Sequence, residues 1–128
     1  MKVLVSGTQE GVDDLVIKRI FDFVVKLNND EKILIHGTAK GVDTQAEAYV
    51  KQLGWQIKPF KLDWSIGKRA GLDRNTTDMI NDGPDFGIFL PSSTSRGTYD
   101  CLEKYKRLNK PYILYNFYSR TITLYNDV

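Results

Sequence analysis

The sequence has few of the residues on which metal and disulfide sites are built. Its 128 residues include one cysteine, Cys101, and one histidine, His36. A lone cysteine excludes an intrachain disulfide and a cysteine-based zinc site, and a lone histidine excludes histidine-rich metal signatures such as HExxH. We therefore expect no metal, and the cysteine content fits a reducing, cytoplasmic compartment.

Other signatures are missing as well. The chain has no Walker A motif, no G-x-G-x-x-G fingerprint and no G-x-S-x-G elbow, so we expect no resident cofactor. No apolar run approaches the length of a membrane span, and residues 1–5 lead into a predicted strand rather than a signal peptide. The net charge of +2 without a block of like charges argues against a nucleic-acid partner.

Patterns typical of strands and helices alternate along the chain. Short apolar runs predict strands at 3–5, 33–35, 55–60, 86–90 and 112–115, and helical spacing predicts helices at 15–27, 42–53, 72–80 and 102–108. This alternation predicts a single Rossmann-like α/β domain over residues 1–128, with three α/β/α layers and a mainly parallel five-stranded sheet of order 3-2-1-4-5. Alternation at 119–126 adds an edge strand, which would be antiparallel.

Glycine and small polar residues cluster where predicted strands give way to predicted helices. Four such segments occur, at 6–8, 36–41, 67–71 and 92–98. In a parallel sheet these turns share the carboxyl edge, where glycine permits close backbone approach or a positive φ and helix N-termini suit phosphate. Such turns need small residues for structural reasons too, but four on one edge favour a binding site.

Three side chains near these turns have both a functional and a structural explanation. His36 ends the second strand and suits a hydrogen bond to a ligand or, equally, to a neighbouring loop. Asp43 suits a ribose hydroxyl or a cap of the second helix. Trp64 suits stacking on a base, although burial under the long loop is the commoner use of tryptophan.

The arginines near the later turns have the same two kinds of explanation. We place Arg74 at the opening of the third helix, where it would bind phosphate or neutralise Asp73 or Asp78. Arg96 lies between a serine and a glycine before the fourth helix, which suits phosphate binding or ordering of the loop.

Four segments together carry a family resemblance. Residues 6–8, SGT, stand in place of a glycine-serine-arginine-like turn, and residues 36–43, HGTAKGVD, are similar to an HGGARGAD segment. The pair DW at 63–64 and GKRAGLDRN at 67–75 are similar to a DW…GKxAGPxRN segment, and residues 95–98 match SRGT. In this order the segments resemble the YAcAr-type, YspA-like (cpYpsA-related) branch of the SLOG superfamily, which is common in bacteria and phages.

The resemblance implies a small Rossmann-like protein that binds nucleotides or nucleotide-derived signals, such as ADP-ribose-like molecules or nucleoside phosphates. It also implies a homo-oligomer, for example a dimer, for which Tyr115, Phe117 and Tyr118 would supply an interface unless they cap the domain's own core. From the residues and the resemblance together we predict ligand contacts by Ser6, Gly7, Thr8, His36, Gly37, Gly41, Asp43, Asp63, Trp64, Lys68, Arg74, Asn75, Pro91, Ser95, Arg96, Gly97 and Thr98.

A distant kinship with LOG-type phosphoribohydrolases, which cut the N-glycosidic bond of nucleoside monophosphates, is implied too. Arg74 matches their arginine, and Pro91 with residues 97–98 matches part of their PGGxGTxxE motif. The place of the motif's glutamate falls on Cys101, with Asp100 one residue earlier. Such hydrolysis needs a carboxylate, so the substitution argues against the activity.

We therefore favour a binding protein that senses, carries or sequesters its ligand. The alternative is an N-glycosidase that uses Arg74 with Asp100, Asp43 or Asp63. A DNA-processing accessory is a third hypothesis, since a distant Rossmann-like relative loads recombinase on single-stranded DNA, but the near-neutral charge argues against it.

Overall fold

A computed structural model describes residues 1–126, and its strands form one sheet of order β3-β2-β1-β4-β5-β6. The strands are β1 (Lys2–Gly7), β2 (Ile33–His36), β3 (Gln56–Pro59), β4 (Phe86–Leu90), β5 (Tyr112–Asn116) and β6 (Thr121–Tyr125). Strands β1 to β5 are parallel, and β6 pairs antiparallel with β5. The predicted α/β class, the order 3-2-1-4-5 and the extra edge strand are confirmed.

Helices cover both faces of this sheet. They are α1 (Asp14–Val25), α2 (Val42–Gln52), α3 (Lys68–Asn81) and α4 (Arg96–Lys106), and a short 3₁₀ helix spans Trp64–Ile66. Alternate residues of β1 point to opposite layers: Val3 and Val5 pack in the core beneath α1 and α2, and Leu4 packs in the core beneath α3 and α4. The three-layer architecture follows from strands that are apolar on both faces.

Two helices begin earlier than the sequence pattern predicts. Helix α3 starts at Lys68, so Gly71 lies inside it, and Arg74 with Asn75 lies in its second turn rather than at its opening. Its first residues carry no apolar stripe, so hydrophobic periodicity does not reveal them. Helix α4 starts at Arg96, which places Gly97 in the first turn at a φ outside the left-handed region. Of the two reasons for glycine at these turns, a positive φ therefore does not apply to Gly97, and close backbone approach is the one that remains.

The C-terminal aromatic residues separate into two environments. Tyr115 is buried, and Phe117 packs edge-on against it with ring centroids 4.9 Å apart, so both cover the core of their own chain. Tyr118 is 87% exposed. No helix within residues 1–126 has the length and apolar character needed to cross a membrane.

Candidate ligand-binding site

A cavity of about 1250 Å³ lies at the carboxyl edge of the sheet. The turns after β1 and β2, the 3₁₀ helix and the first turns of α3 and α4 surround it. Predicted contact residues that line it are Ser6, Gly7, Thr8, Gly37, Asp43, Trp64, Lys68, Asn75, Ser95, Arg96, Gly97 and Thr98, together with Asp100. His36, Gly41, Asp63, Arg74 and Pro91 do not line it.

Several glycines of these turns are required by the protein's own packing. A Cβ on Gly7 would lie 2.7 Å from the side chain of Val42, and one on Gly37 would lie 2.7 Å from Asn75 Oδ1. A Cβ on Gly71 would lie 2.6 Å from the carbonyl oxygen of Asp63. The structural explanation of these glycines is therefore sufficient, and the cavity itself, rather than the glycine count, marks the candidate site.

His36 is held within the loop that follows β2. Its Nε2 lies 3.1 Å from Glu47 Oε1, and its Nδ1 accepts a hydrogen bond from the backbone N–H of Thr38 at 3.0 Å. That acceptor role places the proton on Nε2, which donates to the glutamate. Both ring nitrogens are thus used inside the protein, and the ring is 4% exposed.

Asp43 also organises the loop after β2. Its Oδ2 accepts the backbone N–H groups of Gly37 and Ala39 at 3.2 and 3.1 Å. Burial raises the pKa of this carboxyl to about 7, against the opposing effect of the Ala39 and Gly37 hydrogen bonds. Near pH 7 the protonated and the ionised form of this carboxyl are therefore both well populated.

Arg74 and Asp63 take surface roles. Arg74 lies one residue from Asn75, about a quarter-turn around the helix from the cavity-facing side of α3, and its Nε is 3.9 Å from Asp78 Oδ2. This is one of the two structural alternatives that the sequence offered for Arg74. Asp63 caps the 3₁₀ helix by accepting the N–H and hydroxyl of Ser65, and the same bonds lower the pKa of its carboxyl.

Lys104, which the sequence analysis did not single out, forms ion pairs with two acids of the cavity. Its Nζ lies 2.7 Å from Asp73 Oδ1 and 2.8 Å from Asp100 Oδ2, and it donates to Thr76 Oγ1 at 2.6 Å. Thr76 in turn donates to Asp100 at 2.6 Å. Burial would raise the pKa of Asp100, but the bonds from Lys104 and Thr76 outweigh it and lower that pKa. In the sequence, only the i,i+4 spacing of Asp100 and Lys104 indicates one of these contacts.

The cations at the cavity are not neutralised in the same way. Lys68, Arg69 and Arg96 line the cavity and are exposed, and none of them forms an ion pair within residues 1–126. Lys68 and Arg69 open α3, and Arg96 opens α4. Together with Lys104 they make four cations against the two acids Asp73 and Asp100, so this side of the cavity carries a net positive charge.

The N-termini of α3 and α4 lie next to each other at this electropositive side. Both helices follow parallel strands and run in the same direction, and a Cβ on Gly97 would lie 3.3 Å from Leu72 Cδ2. Neither N-cap residue, Gly67 or Ser95, gives its helix a side-chain cap among residues 1–126, because the Ser95 hydroxyl accepts from Ser92 N–H instead. In α4 the N–H of Arg96 donates to the carbonyl oxygen of Thr94 at 3.0 Å. The N–H groups of Gly97 and Thr98, and those of residues 68–70 in α3, have no partner within residues 1–126 and are available to an anion.

The remaining notable side chains differ in exposure. Trp64 is 51% exposed at the cavity rather than buried under the loop. Cys101, which occupies the place of the hydrolase glutamate, is fully buried, and burial raises the pKa of its thiol to about 12. Such a thiol is not a nucleophile at neutral pH.

A family model described as "YspA, cpYpsA-related SLOG family" matches residues 1–67. The matched segment includes the turns after β1 and β2, Asp43 and the loop up to Gly67. No curated protein and no solved structure matches the chain.

Proposed function

Because the chain belongs to the YspA, cpYpsA-related SLOG family, we propose that it binds a nucleotide or nucleotide-derived small molecule in the cavity at the carboxyl edge of its sheet. The observation that carries this proposal is the pair of adjacent helix N-termini, α3 and α4, that open into the cavity. Beside them lie three cations that form no ion pair with any described residue. Backbone N–H groups, aligned helix dipoles and positive side chains together favour a phosphate or diphosphate group.

The rest of the cavity suits the other parts of such a ligand. Ligand cavities typically measure about 300–1,000 Å³, so the volume of about 1250 Å³ accommodates a nucleotide with room for a further sugar. Trp64 presents a half-exposed ring on which a base would stack. The side chains of Leu62 and Ile66 add apolar surface beside it.

A binding role is favoured over catalysis because the expected catalytic groups are otherwise engaged. Asp100 is held by Lys104 and Thr76, and Arg74 does not line the cavity. Cys101 is buried where the hydrolases have a glutamate. We propose that the protein senses, carries or sequesters its ligand without converting it.

One observation keeps an N-glycosidase as the second candidate. Asp43 and Asp100 border the same cavity, and their environments push their pKa values in opposite directions, up to about 7 for Asp43 and downward for Asp100. Such a pair is typical of an acid that protonates a leaving base and a carboxylate that accepts a proton from attacking water. Release of free adenine from AMP, followed by chromatography and abolished in Asp100→Asn, would favour this candidate over pure binding.

The binding proposal is tested with freshly purified full-length protein. Native mass spectrometry should show a co-purifying mass in the nucleotide range, or calorimetric titration should show binding of AMP, ADP or ADP-ribose. Gly97→Val, which fills the space between the two helix ends, should weaken that binding while the thermal melting curve keeps its shape. Absence of a co-purifying nucleotide together with no heat from any of the three compounds would overturn the proposal.

A further inference from the structure

Asp43 lines the cavity, and one of its carboxyl oxygens is not used by the rest of the described protein. The residue is 3% exposed, and its Oδ1 has no hydrogen-bond partner within residues 1–126. The other oxygen, Oδ2, accepts both N–H groups of the loop, from Gly37 and Ala39. Closing the loop therefore needs only one of the two oxygens.

Leaving the second oxygen unpaired is costly, because buried polar groups in native proteins are almost always hydrogen-bonded. An asparagine would close the same loop through its carbonyl oxygen without an ionisable group. The other buried polar groups at this end of the sheet are satisfied: Thr76 bonds Asp100, and Asn75 donates to the carbonyl oxygen of Phe60 at 2.6 Å. The unpaired oxygen of Asp43 is thus an exception that loop structure does not explain.

We propose that Asp43 is a specificity-determining residue of the cavity, and that its Oδ1 accepts a hydrogen bond from an O–H or N–H group of the bound molecule. This inference rests on the proposed function. In a nucleotide the neutral donors are the sugar hydroxyls and the exocyclic amino group of the base, and phosphate oxygens are acceptors only. The two kinds of ligand group therefore bind at different places in the cavity. Phosphate binds at the starts of α3 and α4, and the donor group binds at the start of α2.

The separation follows from charge as well as from hydrogen bonding. Asp73 and Asp100 both form an ion pair with Lys104, whereas Asp43 has no ion-pair partner within residues 1–126. A phosphate close to Asp43 would be repelled by the ionised form of this carboxyl, and the N–H groups of Gly37 and Ala39 already donate to its Oδ2. A neutral donor meets no such repulsion and completes the hydrogen bonding of the carboxyl group.

The experiment compares matched ligands on matched variants by calorimetric titration. AMP, ADP and ADP-ribose are titrated into wild-type protein, and for the tightest of them the 2′-deoxy, 3′-deoxy and inosine counterparts follow. All are repeated with Asp43→Asn and with Asp13→Asn, which makes the same substitution at an exposed helix cap outside the cavity. Removal of one hydrogen bond to a charged group corresponds to a loss of about ten- to a hundredfold in affinity.

We expect Asp43→Asn to weaken binding of the parent compound by that factor and Asp13→Asn to leave its affinity unchanged. One counterpart, the one that lacks the donor, should bind wild type as weakly as the parent compound binds Asp43→Asn, and the substitution should not weaken its binding further. The identity of that counterpart tells whether the donor is a sugar hydroxyl or the amino group. The role of Asp43 is overturned if Asp43→Asn lowers the affinity for the parent and for every counterpart by the same factor. It is also overturned if all counterparts bind wild type with equal affinity. If none of the three parent compounds binds and no nucleotide co-purifies, the proposed function is overturned instead.

Discussion

The carbonyl oxygen of Thr8 accepts the backbone N–H of Val42 at 3.1 Å and thereby joins the turn after β1 to the start of α2. Between them the backbone of Gly41 passes so close to Thr8 that a Cβ would overlap its carbonyl oxygen, and the φ of Gly41 is 78°. Two turns at the cavity edge are thus fixed relative to each other by a backbone contact that only glycine permits.

This contact predicts that Gly41→Ala is strongly destabilising. The alanine side chain disfavours the left-handed φ and would overlap the carbonyl oxygen of Thr8. We therefore expect a loss of about 2–4 kcal/mol in the free energy of unfolding. Gly54→Ala is the matched control, since Gly54 has the same φ of 78° but no atom within 4 Å of a Cβ. It should lose only about 1–2 kcal/mol. Equal losses in urea denaturation would contradict the close-contact explanation.

The buried carboxyl of Asp43 predicts a pH dependence of stability. Its pKa is raised to about 7 in the folded protein and is about 3.9 when unfolded, so the folded state holds the proton more tightly. The resulting stabilisation is complete below the unfolded value and is lost as the pH rises through the folded value. Asp43→Asn does not titrate and keeps an acceptor for the loop.

Asp43→Asn should therefore be more stable than wild type at pH 8, and the advantage should shrink by at least about 1.4 kcal/mol at pH 5. Urea denaturation at both pH values measures this difference, and Asp13→Asn provides the exposed control. An advantage that is the same at pH 5 and pH 8 would show that Asp43 is ionised throughout.

Trp64 predicts an optical signal for binding. Its ring is 51% exposed at the cavity, whereas Trp55 packs edge-on against Phe21 with centroids 5.6 Å apart. Stacking of an adenine base on Trp64 should quench tryptophan fluorescence during an ADP titration in wild type and in Trp55→Phe, but not in Trp64→Phe. Trp64→Ala should lose about 1–3 kcal/mol of binding free energy. Persistence of the quench in Trp64→Phe would place the base elsewhere.

Arg96 predicts where the phosphate lies. It opens α4 beside free backbone N–H groups, so Arg96→Ala should remove one charged hydrogen bond, worth about 1.5–3 kcal/mol, and weaken ADP binding by about one to two powers of ten. Arg107→Ala at the other end of the same helix is the control and should leave affinity unchanged. If calorimetry finds equal affinities for both variants at low salt, Arg96 points to solvent in the complex.

Side-chain roles were predictable only in part. His36 had a ligand and a loop interpretation of equal weight, and its bonds to Glu47 and Thr38 match the loop interpretation. Arg74 was singled out by resemblance, but its neighbour Asn75 occupies the cavity-facing side of α3. A one-residue offset turns a helical side chain by about 100°, so a motif match does not fix the direction in which a side chain points.

The sequence by itself determined the order of strands and helices, because doubly buried strands and apolar helix stripes are local patterns that imply right-handed parallel crossovers. It also indicated the carboxyl edge as the place of the candidate site, where the structure has a cavity. Only the tertiary structure decided that α3 begins at Lys68 and that Lys104 forms ion pairs with both Asp73 and Asp100. It also decided that one oxygen of Asp43 is unpaired among the described residues. Each of these depends on which side chains meet across separate helices and loops, and on how much water their packing excludes. Such distances and burial are properties of the folded chain that no local pattern encodes.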